Sequence, residues 1–462
     1  MLRIRQPVTR SAERAYVLDV LLGEFLGLEY GAEIEQRGDV EISLAADARR
    51  RLILPDVLFA VAPGAWLARE SLPARPVARL TVDDRALAER IGERDVRCLY
   101  GGIAGPLIRD HGDVVQLGFD LLGSAFFMLT RYEEVAAPVA DAHERFPASA
   151  SLAAEEGFLR RPVVNEYVEV LWWLLQRLWP RLKRRRHTFR VLPTHDVDTP
   201  LCAAHTFRAA VRTAAGDIVR RRDAVLAARR LAATAAAKRG SRSLDPCDTF
   251  ELLMGLSERH GLTSGFFFMG GGSHPAYDGT YSLDEPWVRA LLRRIHSRGH
   301  ELGLHPSYDT FRSSDATRSE LETLKRACGE ESIEAPLRGG RQHYLRWQNP
   351  TTWQIWEDLG FEYDSTLGFA DAAGFRCGVC YEYPVFNLTT RCGLTLRERP
   401  LVAMDRTVLD YQGLREERAL EELLELRRRC RLFDGDFTLL WHNSVLQTRR
   451  ERRLYTDVLA AR

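Results

Sequence analysis

A chain of 462 residues is too long for one ordinary domain, and a composition of 45% hydrophobic and 28% charged residues is that of a globular protein able to bury a core unaided. A formal net charge of +1 excludes a protein built around a nucleic-acid-binding field. No stretch reaches the roughly 20 apolar residues of a membrane span. The first residues lack the apolar core of a signal peptide, and eight cysteines without such a signal predict reduced thiols in a cytoplasm.

Residues 1–187 predict a smaller α/β accessory domain. The spacing of apolar residues at 15–28 is that of an amphipathic helix, and 40–44 and 51–60 have the character of strands. Residues 120–132 form a strongly apolar helix candidate, and 165–179 carry helical spacing up to Pro180. The basic run 181–186 is a solvated helix end and a boundary. No residue cluster in this part suggests chemistry, and Trp172, Trp173 and Trp179 are core rather than a sugar platform.

A different rhythm occupies 188–462. A short strand at 189–193 leads into His195-Asp196-Val197-Asp198. Next comes a basic, Ala/Arg-rich helical insertion at about 203–244, a solvated lid or a peripheral contact for anionic lipid or anionic glycan. It gives no reason to expect a specific nucleic-acid partner. Helices at 248–260, 284–297, 351–358 and 414–429 then precede strands at 265–269, 300–304, 361–363 and 438–442. Such alternation predicts a parallel α/β sheet or barrel, in which active residues gather after the carboxyl ends of strands.

The polar clusters fall at those ends. Asp196 and Asp198 are two residues apart; one acid can bind a metal while the other takes a proton from metal-activated water, or the pair simply caps a turn. His300 and His305 fall on opposite faces of a strand, so they do not share a metal. His305 and Asp309, four apart, can chelate an ion from one helical turn, or His305 is a bonded core histidine. Gly339 and Gly340 beside Arg341 let a backbone turn approach a site closely. Asp364-Ser365-Thr366 and Trp441-His442-Asn443 follow apolar strands and read as turns when taken singly. Cys377 and Cys380, with Cys392 nearby, have the spacing of half a zinc site but lack a fourth ligand, and read as free thiols.

Taken in order, these clusters resemble the polysaccharide deacetylase family (NodB homology, carbohydrate esterase family 4) over roughly residues 190–444. The resemblance implies a distorted (β/α)7-type barrel after the accessory domain. It implies a hydrolase that removes an N-acyl group, acetyl first, from an amino sugar of a glycan or glycan precursor in bacterial surface polysaccharide metabolism. Asp196 would be the general base, and Asp198 and His305 would ligate a divalent metal, zinc foremost, with Asp309 at the family's second histidine position. Arg341 would orient the base, and a backbone N–H near Tyr344 would meet the oxyanion. His442 would be the general acid, with Asp364 as its partner. An Asp at 309 favours harder ions, and it keeps two alternatives open: a non-catalytic glycan-binding scaffold with a degenerate site, and a metal-free hydrolase of cyclic amides.

Overall fold

A computed structural model describes residues 1–101, 106–202, 207–219, 222–237, 239, 241–242 and 244–461. They form two compact units. The first comprises Met1–Arg190, Trp347–Val402 and Leu426–Phe437, and the second comprises Val191–Arg346, Ala403–Glu425 and Thr438–Arg462. Segments 347–402 and 426–437, which the sequence assigns to the C-terminal part, thus belong to the first unit. Among the described residues no helix is long and apolar enough to cross a membrane.

The first unit is mixed α/β. Its six-stranded sheet has the order Tyr30–Glu35, Leu2–Pro7, Asp39–Leu44, Asp47–Pro55, Val114–Leu117, Ile108–Asp110. Leu2 and Ile4 are buried while Arg3 and Arg5 are not, which is the period-two alternation of a sheet with one face on the core. Leu121–Leu129 is a helix buried at every residue; Asp120 caps it, its carboxylate accepting from the Gly123 N–H at 2.6 Å. Val163–Leu178 is the long helix expected at 165–179. The expected helix at 15–28 is Ser11–Leu18, continued as a π-helix over Asp19–Phe25.

The second unit holds six strands: β1 (Arg190–Val197), β2 (Gly265–Phe268), β3 (Glu301–Leu304), β4 (Gly339–Gly340), β5 (Ala403–Met404) and β6 (Asp436–Leu440). They run in the order β4-β3-β2-β1-β6-β5. The pairs β1–β2, β2–β3, β3–β4 and β5–β6 are parallel, with Phe267 opposite Asp196, Phe268 opposite Leu304, and Leu304 opposite Gly340. A sheet of this kind is covered on both faces, and β2 accordingly reads Gly-Phe-Phe-Phe with every residue buried. The covering helices include Phe250–Arg259, Pro286–Ser297 and Ser314–Glu330. The described part of the basic insertion is two helices, Phe207–Val219 and Ala224–Ala237, whereas 203–206, 220–221, 238, 240 and 243 lie outside the described residues.

The expected barrel is corrected to an open arrangement. Among the described residues, β4 and β5, the two ends of this run, do not pair with each other. Each is two residues long, too short to supply the tilt and stagger that closure requires.

Gly340 is where the sheet admits no side chain, because a Cβ there would stand 1.8 Å from the Leu304 carbonyl oxygen. Gly340→Ala should lower the urea midpoint, with a loss of about 1–3 kcal/mol for forced overpacking. Gly329→Ala is the control. It lies within a helix on an exposed face with nothing within 4 Å of the added carbon, and it should stabilise by about 0.5–1 kcal/mol. Equal midpoints for the two variants would contradict the register.

Candidate metal and acid–base site

The site begins with the pleat of β1. The strand runs through Val197, so Asp196 and Asp198 share a face by strand periodicity and His195 takes the other. His195 is a core histidine. Its Nδ1 meets the Trp441 carbonyl at 2.7 Å, its Nε2 meets Ser264 Oγ at 3.3 Å, and burial pushes the ring down to about 4. Asp196 is buried and accepts from Arg341 Nη1 at 2.8 Å. That guanidinium is also fully buried, and it fixes the orientation of the carboxylate.

Asp198 follows β1, His305 follows β3, and His343 lies two residues past Arg341. One ligand atom of each lies within 4.8 Å of the other two. His305 Nε2 is 3.0 Å and His343 Nε2 3.8 Å from Asp198 Oδ1. Each imidazole is held from behind. His305 Nδ1 meets the Arg341 carbonyl at 2.6 Å, and His343 Nδ1 meets Asp278 Oδ1 at 2.8 Å. A ring nitrogen committed in this way leaves the other as a lone-pair donor toward the centre. Asp198 Oδ1 and His305 Nε2 are buried and have no hydrogen-bond partner. One carboxylate and two imidazoles turned toward one point fit a divalent cation, zinc by ligand type.

The local electrostatics agree with that fit. Burial pushes Asp198 up, but His343, His442 and His305 outweigh it and hold the carboxyl well below the usual range. Burial lowers His305, and Asp196 and Asp198 more than restore it.

His442 follows β6 on the other side of Asp198, with Nε2 at 3.4 Å from Asp198 Oδ2. Its Nδ1 is 2.7 Å from Asp405 Oδ1, and its backbone N–H donates to Asp405 Oδ2 at 2.7 Å. Asp405 thus fixes both ring orientation and tautomer. Burial acts against the charged ring, but Asp405 and Asp198 raise it to about 9.

Two of the expected site residues lie elsewhere. Asp309 is not among the ligands. Its side chain is 50% exposed and bonded to Arg346 Nη1 at 2.9 Å. Pro306 follows His305, and the chain makes a turn rather than the helical turn that chelation by positions 305 and 309 needs. The second histidine comes instead from position 343. Asp364 belongs to the first unit, where its Oδ1 accepts from the Thr366 N–H at 3.0 Å; the carboxylate behind His442 is Asp405.

Tyr344 adjoins the centre, its ring 4.8 Å from that of His343. Tyr344 and Leu345 both take positive φ, 60° and 57°, a strained pair for residues with a Cβ. This reversal turns the chain directly after His343. Tyr277 lies 5.3 Å and Tyr308 5.2 Å from Tyr344, and Tyr277 is 37% exposed. A cleft of about 310 Å³ is lined by Asp198, Asp278, Tyr281 and Trp287, and by Ala233 and Ala237 of the insertion.

Sequence reasoning missed His343, Asp278 and Asp405. The signal for His343 was its position two residues after Arg341. Asp405 follows a two-residue strand and Asp278 a loop, and neither carries a periodic signature.

Residues 2–180, within the first unit, match the model of a family of unknown function (DUF7033). No curated protein matches the chain. Among solved structures, the chain is similar to one described as a polysaccharide deacetylase from Mycobacterium smegmatis, at 19% identity over 60% of this chain and 85% of that one, TM-score 0.38. It is similar to another so described from Pseudomonas aeruginosa PAO1, at 14% identity over 59% and 83%, TM-score 0.36. A third is a Puue allantoinase, at 12% identity over 58% and 82%, TM-score 0.35.

The ligand assignment separates two substitutions. His343→Ala should lose a divalent ion on dialysis that the wild type retains, whereas Asp309→Ala should retain it. Asp278→Asn, which loosens the ring behind its ligand nitrogen, should weaken ion affinity by about 10–100-fold. Isothermal titration with zinc reads all three, and ion loss in Asp309→Ala with retention in His343→Ala would reverse the assignment.

Proposed function

We propose that the second unit is a metal-dependent amide hydrolase that removes an N-acyl group, acetyl first, from an amino sugar of a glycan or glycan precursor. The observation that carries this reading is the arrangement around Asp198. A three-donor metal cluster has a buried Asp–Arg pair on one side and a His–Asp pair on the other. Hydrolysis of an amide needs a base for the attacking water, a Lewis acid for the carbonyl and an acid for the departing amine. These parts are supplied separately here and gather around Asp198.

Asp198, His305 and His343 would hold the ion, which supplies Lewis acidity to the acyl carbonyl and to the attacking water. Asp196 takes the proton from that water, and Arg341 keeps Asp196 aimed. His442 gives its Nε2 proton to the leaving nitrogen, and Asp405 behind the ring fixes which nitrogen carries that proton. The backbone at Tyr344 is the candidate donor to the oxyanion. The partly exposed Tyr277 beside Tyr344 offers aromatic surface near the centre for a sugar ring, which favours a carbohydrate over a small cyclic amide. The scaffold reading rested on Asp at position 309, and His343 supplies the ligand whose loss motivated it.

The test is acetate release from N-acetylglucosamine oligomers by the zinc-loaded chain. Asp196→Asn and His442→Ala should each lower turnover by about 10²–10⁴-fold, as expected for loss of a general base or acid. Both should keep the bound ion. Unchanged turnover in either variant, or wild-type turnover that survives complete chelation, would overturn the mechanism.

A further inference from the structure

A second cluster of soft and charged donors stands at the foot of the helical insertion. Cys202, Asp245 and Cys247 each place a ligand atom within 4.8 Å of the other two. Both cysteines are free thiols; Cys247 and Asp245 are buried and Cys202 is partly so. Cys202 precedes the insertion, and Asp245 and Cys247 follow it.

The cluster is built rather than incidental. The backbone N–H of Cys202 donates to both Asp245 oxygens, at 3.0 and 3.1 Å, and that of Cys247 donates to Oδ1 at 2.8 Å. One carboxylate therefore sets the positions of both cysteines. Both sulfurs also face N–H donors. Arg230 Nη1 donates to Cys202 Sγ at 3.4 Å, and Gln447 Nε2 donates to Cys247 Sγ at 3.4 Å. Arg230 is held in turn by Asp217, at 2.6 Å, and by the Gln447 side-chain oxygen. N–H groups aimed at the sulfurs fix the two side chains from outside. The Cys202 thiol donates to Asp245 Oδ1 at 3.2 Å, so sulfur and carboxylate already face each other.

We infer that Cys202, Cys247 and Asp245 form a second metal site, for a thiophilic divalent ion of the zinc class, that clamps the two ends of the insertion together. Two thiolates select against magnesium and calcium. Binding releases the two thiol protons to solvent and involves no change of oxidation state. The fourth tetrahedral position falls to solvent beside the partly exposed Cys202. The ion would set the foot of the helices that carry Ala233 and Ala237 into the cleft at Asp198.

Cobalt titration of the reduced, metal-stripped full chain tests this independently of the proposed hydrolase, because the Asp198 centre contains no sulfur. Expected are two equivalents, one of which gives thiolate-to-cobalt charge-transfer absorption that zinc bleaches. The Asp198→Ala, His305→Ala double variant should keep the sulfur band and one equivalent. The Cys202→Ser, Cys247→Ser double variant should lose the band and keep the other. A wild-type chain that binds cobalt with no charge-transfer band overturns the site, and this measurement needs no variant to fold. A failure of the hydrolase reading would remove only the band-free equivalent.

Discussion

Each group around Asp198 is held from behind, and the site depends on that constraint. An imidazole free to rotate or to exchange tautomers is a poor ligand and an indifferent acid. Here the Arg341 carbonyl, Asp278 and Asp405 each take one ring nitrogen of His305, His343 and His442. The remaining nitrogens then have one direction to point. The buried pair Asp196–Arg341 obeys the same rule with charge in place of tautomer. Without these partners the same residues would be polar groups buried at a cost.

The parallel sheet makes such holding possible. Asp198, His305, Arg341 and Asp405 each come immediately after a strand, and His442 comes two residues after one. Neighbouring parallel strands finish on the same side, so groups far apart in sequence arrive together without long connecting loops. The register adds a second constraint. Leu304 lies opposite Gly340, where only a missing side chain lets the two backbones meet. That contact sets the distance from His305 to Arg341, and so from His305 to the Asp196–Arg341 pair.

How much of this was legible in the sequence follows from the same physics. Strand–helix alternation put polar clusters at strand ends, and the resemblance to the deacetylase motifs then singled out Asp196, Asp198, His305, Arg341 and His442. Those residues are tied to regular elements whose period can be read. Asp278 and Asp405 belong to a loop and to a two-residue strand, and no period announces them. His343 was in view beside Arg341, but spacing alone favoured Asp309; the chain turns after Pro306 and gives Asp309 to Arg346. In the first unit, the helix at 163–178 was plain. The strand Leu2–Pro7 was missed although Leu2 and Ile4 already alternate with arginines. Alternation left sheet and barrel open, and the barrel was expected from the family resemblance.

Arg341 serves two groups at once: its guanidinium holds Asp196 and its carbonyl holds His305, and His343 follows two residues later. The span from Gly340 to His343 therefore behaves as a ruler of fixed length. Adding or deleting one residue in it would displace Asp196, His305 and His343 together. Related chains should accordingly hold this span at fixed length, and length variation should fall instead in the insertion, whose two ends meet at Cys202 and Asp245.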